Sequence, residues 1–514
     1  MNLGNIVAGR AGMRMLIAQL VLLGLALAPL RAQIPSFPSE DQLRDKTAGQ
    51  LVTKLGEYGG APADWGFLFV PENRARSESS LLQLTVVRQR ATRDVTFPPI
   101  FNLVGGPGNS NVWGSGEFAP RFYEHNDIVR VGYRGIDSDV ELLCSEFTKA
   151  LQTERPLSLE NLEETRQALR ACNDRLRATG IDLDGYSLAE VVEDIEATRK
   201  ALGYERINFL AVSWGTQIAY AYAMQYPDRV KHMLLVGAGG RARGFDLWGP
   251  DVVDQKLGVY AELWKNDPDA VARTPDIMET ISKVLATLPR EWREIQIDPD
   301  KVRLAMWYML EETSTAAQVF DAFAGASEGD YGGLALLSWS YDDHLRKELQ
   351  RRHGPYHGEF FCKVMSSGLD PERDWAGEMD PEGSIIGSPE AKLLWGAASR
   401  GGWPIGVVSR EYRRDTDIDV ETLVLMGNLD FNAPVEYVRE ELMPHLKQGR
   451  LVVLSNVGHG EFVKLQPEAF DQLAGRFFYE GIVDTSKYTY HQIDFTPQET
   501  LQDQAHALFP ERAR

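Results

Sequence analysis

The stretch INFLAVSWGTQIAYAYAMQY, Ile207 to Tyr226, decides the fold. INFLAV is a short, fully apolar run of the kind a buried parallel strand presents. QIAYAYAMQY is rich in small residues and helix-like, with a stop at Pro227. Between them stands Ser213, with Ala211 two residues before it and Gly215 two residues after. A strand that turns at once into a helix needs small residues at both positions, because the backbone doubles back on itself there. Small-x-Ser-x-Gly is common by chance in a chain of 514 residues, so the flanking elements carry the reading.

Upstream, YSLAEVVEDIEATRKALGYER (186–206) opens with a capping box, Ser187 and Glu190. Leu188, Val191, Val192, Ile195 and Leu202 recur at helical spacing, and Gly203 ends the run. Earlier, LLQLTVVRQR (81–90), PPIFNLV (98–104) before GGPG, and DIVRVGY (127–133) before RG read as strands. VKHMLLVGAG (230–239) is the next. Strand and helix thus alternate, which specifies an α/β architecture with a mostly parallel sheet and helices on both faces.

The alternation breaks from 241 to 405, where helical patterns such as VDQKLGVYAELWKN, DIMETISKVLATL and VRLAMWYMLEE dominate. Eight of the 11 tryptophans lie in this region, and rings of that size need a core of their own. It reads as an inserted helical domain. Strands resume at ETLVLMG (421–427) and GRLVVLSNV (449–457), each followed by a helical pattern. At the N-terminus, MLIAQLVLLGLALAPL (15–30) follows Arg10 and Arg14 and resembles the apolar region of a secretory signal, with cleavage after Ala32. The expected organisation is a leader at 1–32, a core at 33–240, a helical cap at 241–405 and the rest of the core at 406–514. Export to a periplasmic or secreted location follows, with no stable membrane insertion after leader removal. Export would permit a disulfide, and spacing alone does not say which of Cys144, Cys172 and Cys362 would pair.

Composition narrows the function. With 43% hydrophobic and 25% charged residues the chain can bury a large core. Its formal charge of −20 opposes a nucleic-acid-binding surface, which needs clustered Lys and Arg.

Acyl transfer by serine needs a general base, an acid that orients the base, and N–H donors for the developing oxyanion. Asp430 in LMGNLDFNAP lies just beyond one strand, and His459 in LSNVGHGEF just beyond the next. Of the nine histidines only His459 has that placement together with flanking glycines. The order Ser213, Asp430, His459 is the one such a sheet requires. LVGGPGNS (103–110) offers Gly-rich backbone for an oxyanion, with the amide of Trp214 as second donor. No cofactor and no metal are expected. GAGGRA (237–242) fits a dinucleotide fingerprint, but RGFDLWGP follows it where a helix should begin. His353, His357 and Cys362 cluster in HGPYHGEFFC, where Gly354-Pro355 opposes the helix that paired ligands would want.

As an ordered set these motifs resemble the α/β-hydrolase-fold serine exopeptidases that include prolyl aminopeptidases and, more closely, the secreted tripeptidyl aminopeptidases. The matching residues are GGPG (105–108), YRG (133–135), ELLC (141–144), AC (171–172), the whole of 186–216, YPDRV (226–230), GNLDFNAP (427–434) and GRLVVLSNVGHGEF (449–462). The resemblance implies an α/β-hydrolase fold and a triad of Ser213, Asp430 and His459, with Gly106 and Trp214 as oxyanion donors. It also implies a Cys144–Cys172 bridge under the nucleophile helix, and the 241–405 insertion as a lid. Five positions depart from the pattern. Val104 stands where His is usual, Gly132 where Asp is usual, and Ala211 and Asp137 where Gly is usual; VGAGG replaces an Asp-Gly after the next strand. An aminopeptidase must also bind a free α-ammonium, for which Glu311 and Glu312, and then Asp321 and Glu328, are candidates by location. The function expected is an exported serine hydrolase that cleaves amide bonds at peptide N-termini through an acyl-enzyme. A carboxylic-ester or lactone hydrolase on the same triad is the alternative, so the partner is a peptide or small ester.

Overall fold

A computed structural model describes residues 35–95, 97–113, 124–239, 249–350, 356–406, 412 and 416–510. The leader expected at 1–32, and His353 of the discounted metal cluster, lie outside the described residues. So do the boundary segments 240–248 and 407–411.

Nine strands form one sheet: β1 Leu51–Tyr58, β2 Ala61–Pro71, β3 Leu81–Gln89, β4 Ile100–Leu103, β5 Ile128–Val131, β6 Ile207–Val212, β7 Val230–Val236, β8 Glu421–Gly427 and β9 Gly449–Leu454. Their order is β1-β2-β3-β5-β4-β6-β7-β8-β9. The first three run antiparallel and β3 meets β5 antiparallel; from β5 to β9 every pair is parallel. The β1–β2 hairpin turns on Gly59-Gly60, both at positive φ, as a two-residue connection requires.

Although INFLAV and its neighbours are continuously apolar, their side chains sort into two buried clusters. Ile100, Leu210, Leu234, Leu423 and Leu425 join Leu473, Phe477 and Phe478. Phe101, Leu103, Phe209, Ala211 and Leu235 join Val191, Ile195, Ile218 and Tyr222. The sheet is therefore buried on both faces, which is why its central strands carry almost no polar residues. The crossover from β5 to β6 contains helices α1 Ser145–Ala150, α2 Leu159–Ala178 and α3 Leu188–Ala201, and α4 Gly215–Gln225 connects β6 to β7. A disulfide joins Cys144, just before α1, to Cys172 within α2. It is the pairing the resemblance implied, and it ties the two crossover helices together.

Between β7 and β8 the chain builds a helical layer: α5 Pro250–Lys265, α6 Ile277–Ala286, α7 Pro299–Met309, α8 Thr313–Ser327, α9 Gly332–Gln350, α10 His357–Ser366 and α11 Pro389–Ala398, with shorter turns between them. Its tryptophans Trp264, Trp307, Trp375, Trp395 and Trp403 are almost fully buried. The chain ends with α12 Pro467–Glu480, on the core, and α13 Leu501–Leu508. Residues 493–508, grouped with the core in the sequence reading, return over the helical layer instead. Phe495 packs against Trp264 and Phe320, and Gln502 donates to the Asp321 carbonyl.

Candidate active site

The turn after β6 puts Ser213 at φ +53°, a left-handed conformation unusual for a serine. Its amide donates to the Val236 carbonyl at 2.9 Å, which fixes the turn to the end of β7. The flanking small residues are required by contact. A Cβ on Gly215 would lie 2.6 Å from the Leu103 carbonyl oxygen, and one on Gly105 would lie 2.6 Å from the Ser213 Cβ. Ala211 is fully buried within β6.

Asp430 and His459 come from the loops after β8 and β9. Asp430 Oδ2 meets His459 Nδ1 at 2.8 Å, and its other oxygen accepts the Ala433 amide at 2.7 Å. Both side chains are buried. Burial works against a charged imidazole, but the Asp430 carboxylate and its hydrogen bond, with Glu311 nearby, hold His459 above the ordinary histidine range. The other ring nitrogen, Nε2, is buried and has no hydrogen-bond partner among the described residues. Gly237 shows where the ring stands: a Cβ there would be 3.1 Å from His459 Cε1, and Gly237 lines the same cavity as Ser213.

That cavity is lined by Gly106, Pro107, Ser213, Trp214, Gln217, Gly237, Gly239, Tyr308, Glu311, Phe360, Glu390, Asn432 and Ala433. Gly106 and Trp214 are thus brought to Ser213. No backbone partner engages either amide among the described residues. The loop carrying Gly106 is held at Gly108, whose amide donates to Glu359 Oε2 of α10 at 2.7 Å. Glu359 is itself buried against Lys363 at 3.4 Å.

Of the four carboxylates expected near a substrate amine, only Glu311 lines the cavity. Glu312, the next residue, turns away and pairs with Lys464 at 2.6 Å. Asp321 pairs with Arg273, and Glu328 is exposed at the end of α8. Sequence reasoning missed Glu390, in the first turn of α11, and Tyr308 and Phe360 beside it. The only signal for Glu390 was an acid at the head of a helix, PEAKLLWGAA, that apart from Lys392 is small and apolar. Tyr308 donates to Glu390 Oε1 at 2.8 Å, and Asn432 donates to Glu311. Burial pushes Glu311 up to about 8; His459 opposes this, Glu390 and Asp430 add to it, and the Asn432 hydrogen bond offsets part. Burial likewise pushes Glu390 up to about 7, against its hydrogen bond from Tyr308. Neither has a Lys or Arg partner among the described residues.

Of the residues in the two discounted constellations, His357, Cys362 and 237–239 lie among the described residues. His357 contacts Thr148 and Phe147, and Cys362 is buried against the Leu183 carbonyl. Gly237, the first glycine of GAGGRA, faces the cavity next to His459.

Residues 98–462 match the alpha/beta hydrolase fold family. The chain belongs to that family. Among α/β hydrolases with curated names, it is 31% identical over 188 residues to serine protease Hip1 of Mycobacterium tuberculosis, covering 34% of this chain and 35% of the relative. It is 24% identical over 255 residues to the tripeptidyl aminopeptidase of Streptomyces lividans, covering 46% of each. The matches thus span about a third to just under half the length of these relatives. Among solved structures, a serine hydrolase from Cycloclasticus zankles aligns at 12% identity with a TM-score of 0.38, over 84% of this chain and 100% of that one. A meta-cleavage product hydrolase from Pseudomonas fluorescens aligns at 16% identity with a TM-score of 0.36, over 78% and 96%.

Proposed function

We propose that the protein is an exported serine aminopeptidase. The observation that carries this reading is the pair Glu311 and Glu390. Two buried carboxyl groups from the helical layer, with no Lys or Arg partner among the described residues, line the cavity that holds Ser213. A buried carboxylate is costly without a positive partner. The α-ammonium of a peptide would be that partner, and binding it lowers both raised carboxyls back toward ionisation. The helical layer acts as a lid that selects free N-termini.

In the reaction, His459 Nε2 takes the Ser213 proton as the hydroxyl oxygen attacks the carbonyl carbon next to the scissile nitrogen. Asp430 orients the imidazole through Nδ1 and balances its charge. The amides of Gly106 and Trp214 stabilise the oxyanion. The proton passes from His459 to the leaving amine, and water then cleaves the acyl-enzyme by the same steps in reverse. The names of the relatives agree with a peptidase. An ester would be cleaved by the same triad, but without need of the two glutamates.

The test compares a free-amine aminoacyl anilide, its N-acetyl form and a short nitrophenyl ester, together with fluorophosphonate labelling. Ser213→Ala should abolish labelling. Glu311→Gln and Glu390→Gln should each lower the ratio of kcat/KM for the free amine to that for the ester at least about tenfold, the loss of one charged contact. Preference for the acetylated peptide would overturn the aminopeptidase reading. Export rests on the leader and is supported by the disulfide, since such bonds persist in oxidising compartments. N-terminal sequencing of the mature protein should begin at Gln33, and a retained leader would refute it.

A further inference from the structure

Two departures from the family pattern, Gly132 and Asp137, lie five residues apart and close against each other in space. We infer that Asp137 is a positioning residue for the oxyanion loop, its carboxylate tying down both ends of the segment that carries Gly106. The inference rests on the proposed role of the Gly106 amide.

Asp137 is buried and lies in the turn after β5. Three donors converge on it. Ser110 donates its hydroxyl to Oδ1, and Oδ2 accepts the amides of Asn111 at 2.9 Å and Tyr133 at 3.0 Å. No Lys or Arg pairs with it among the described residues, so these donors alone meet its charge. Asn111 passes the constraint on. Its side chain accepts the Val104 amide at 2.9 Å and donates to the carbonyls of Asn102 and Val131 at 3.0 and 2.8 Å. Tyr133, whose amide Asp137 holds, donates its hydroxyl to the Val104 carbonyl at 3.0 Å. Both ends of the segment 104–111 are thus fixed through one carboxylate, and Gly106 lies between them.

The space admits only one side chain. A Cβ on Gly132 would lie 2.5 Å from the Asp137 Cβ and 2.8 Å from the Thr85 carbonyl oxygen. The backbone around both residues is tied to β3, through Gly132 N to Thr85 O at 2.7 Å and Thr85 N to Asp137 O at 2.9 Å. Gly132 thus leaves free the volume that the Asp137 side chain fills.

The experiment uses the full chain carrying Asp137→Ala or Asp137→Asn. It measures ester kcat and KM, and hydrogen exchange over residues 104–111. Asp137→Ala should lower kcat about 100-fold, the scale of a lost oxyanion donor, with KM changed less than about threefold. Loop protection should fall with it. Asp137→Asn, which keeps the shape and one acceptor oxygen, should retain at least about tenfold more kcat than Asp137→Ala. A folded Asp137→Ala protein with parental kcat and protection would overturn the inference. So would a folded Asp137→Asn protein whose loop is no better protected than that of Asp137→Ala. If Asp137→Ala does not fold, Asp137→Asn decides alone, its loop protection expected below the parent's. A parent protein that fluorophosphonate does not label would count against the proposed function instead, and hydrogen exchange would still decide the role of Asp137.

Discussion

At the residue scale the site is a charge arrangement around one imidazole. His459 is hydrogen-bonded to the Asp430 carboxylate, and the charge of Asp430, with that of Glu311 where it is ionised, favours the protonated imidazole. In the proposed reaction His459 must be neutral to take the serine proton. Because its folded value is raised, the acid limb of kcat/KM lies above the ordinary histidine value of about 6.5. Burial pushes Glu311 up to about 8, so below that pH it is itself largely protonated and Asp430 carries the effect. Glu311→Gln should therefore leave the acid limb nearly in place. The measurement is kcat/KM for an uncharged ester between pH 5 and 9, so that no substrate amine titrates; a shift of about one unit to lower pH would mean that Glu311 is ionised beside the imidazole. The three residues Ser213, Asp430 and His459 were legible in the sequence because each follows an apolar strand, and strand ends converge at one edge of a parallel sheet. Glu390 was not legible. Nothing in a one-dimensional pattern shows that an acid in the first turn of α11 faces β6 across the molecule rather than solvent.

At the scale of elements, the site depends on close backbone approaches that only glycine permits. β8 ends at Gly427, where a Cβ would lie 2.1 Å from the Val457 carbonyl oxygen. The loop after β9 must pass over that point to bring His459 to Asp430. Gly458 is as tightly placed, since a Cβ there would lie 2.1 Å from the Glu311 carbonyl oxygen, and its amide is held by Glu461, which also accepts from Thr313. Gly427→Ala should push the His459 loop outward. Overpacking of this kind costs about 1–3 kcal/mol, so the urea midpoint should fall, and ester kcat should fall more than tenfold as the His459–Asp430 geometry is lost. Unchanged kcat would show that the loop can shift without moving the imidazole. Most strands of the parallel sheet could be read from their apolar runs. The β1–β2 hairpin was missed, because β1, LVTKLGEY at the edge of the sheet, is largely exposed and lacks the regular alternation that marks a strand; the Gly59-Gly60 turn was its signal.

At the scale of the molecule, the cavity is built where the sheet meets the helical layer, so its geometry depends on how the two are joined. Lys256 of α5 donates to the Asn428 carbonyl and pairs with Glu436, both near Asp430 in sequence. The C-terminal segment adds a second tie: Asn456, in the loop leading to His459, donates to the His491 carbonyl, and Phe495 then packs against both Trp264 and Phe320. Neither tie could be read from the sequence. Periodicity shows which face of a helix is apolar but not which distant segment covers it, and residues 481–500 have no periodicity at all. Phe495 is 1% exposed. Phe495→Ala should cost about 3–5 kcal/mol, the usual range for emptying a buried aromatic site. Because the lost contacts lie on α5 and α8, the helical layer should loosen before the sheet. Tryptophan fluorescence in urea, to which the eight tryptophans of 241–405 contribute most, should show an early transition, while far-ultraviolet dichroism should keep a later one. KM for a free-amine substrate should rise, since Glu311 leads into α8. A single coincident transition at the parental midpoint would mean that the segment merely lies on the surface and does not join the two layers.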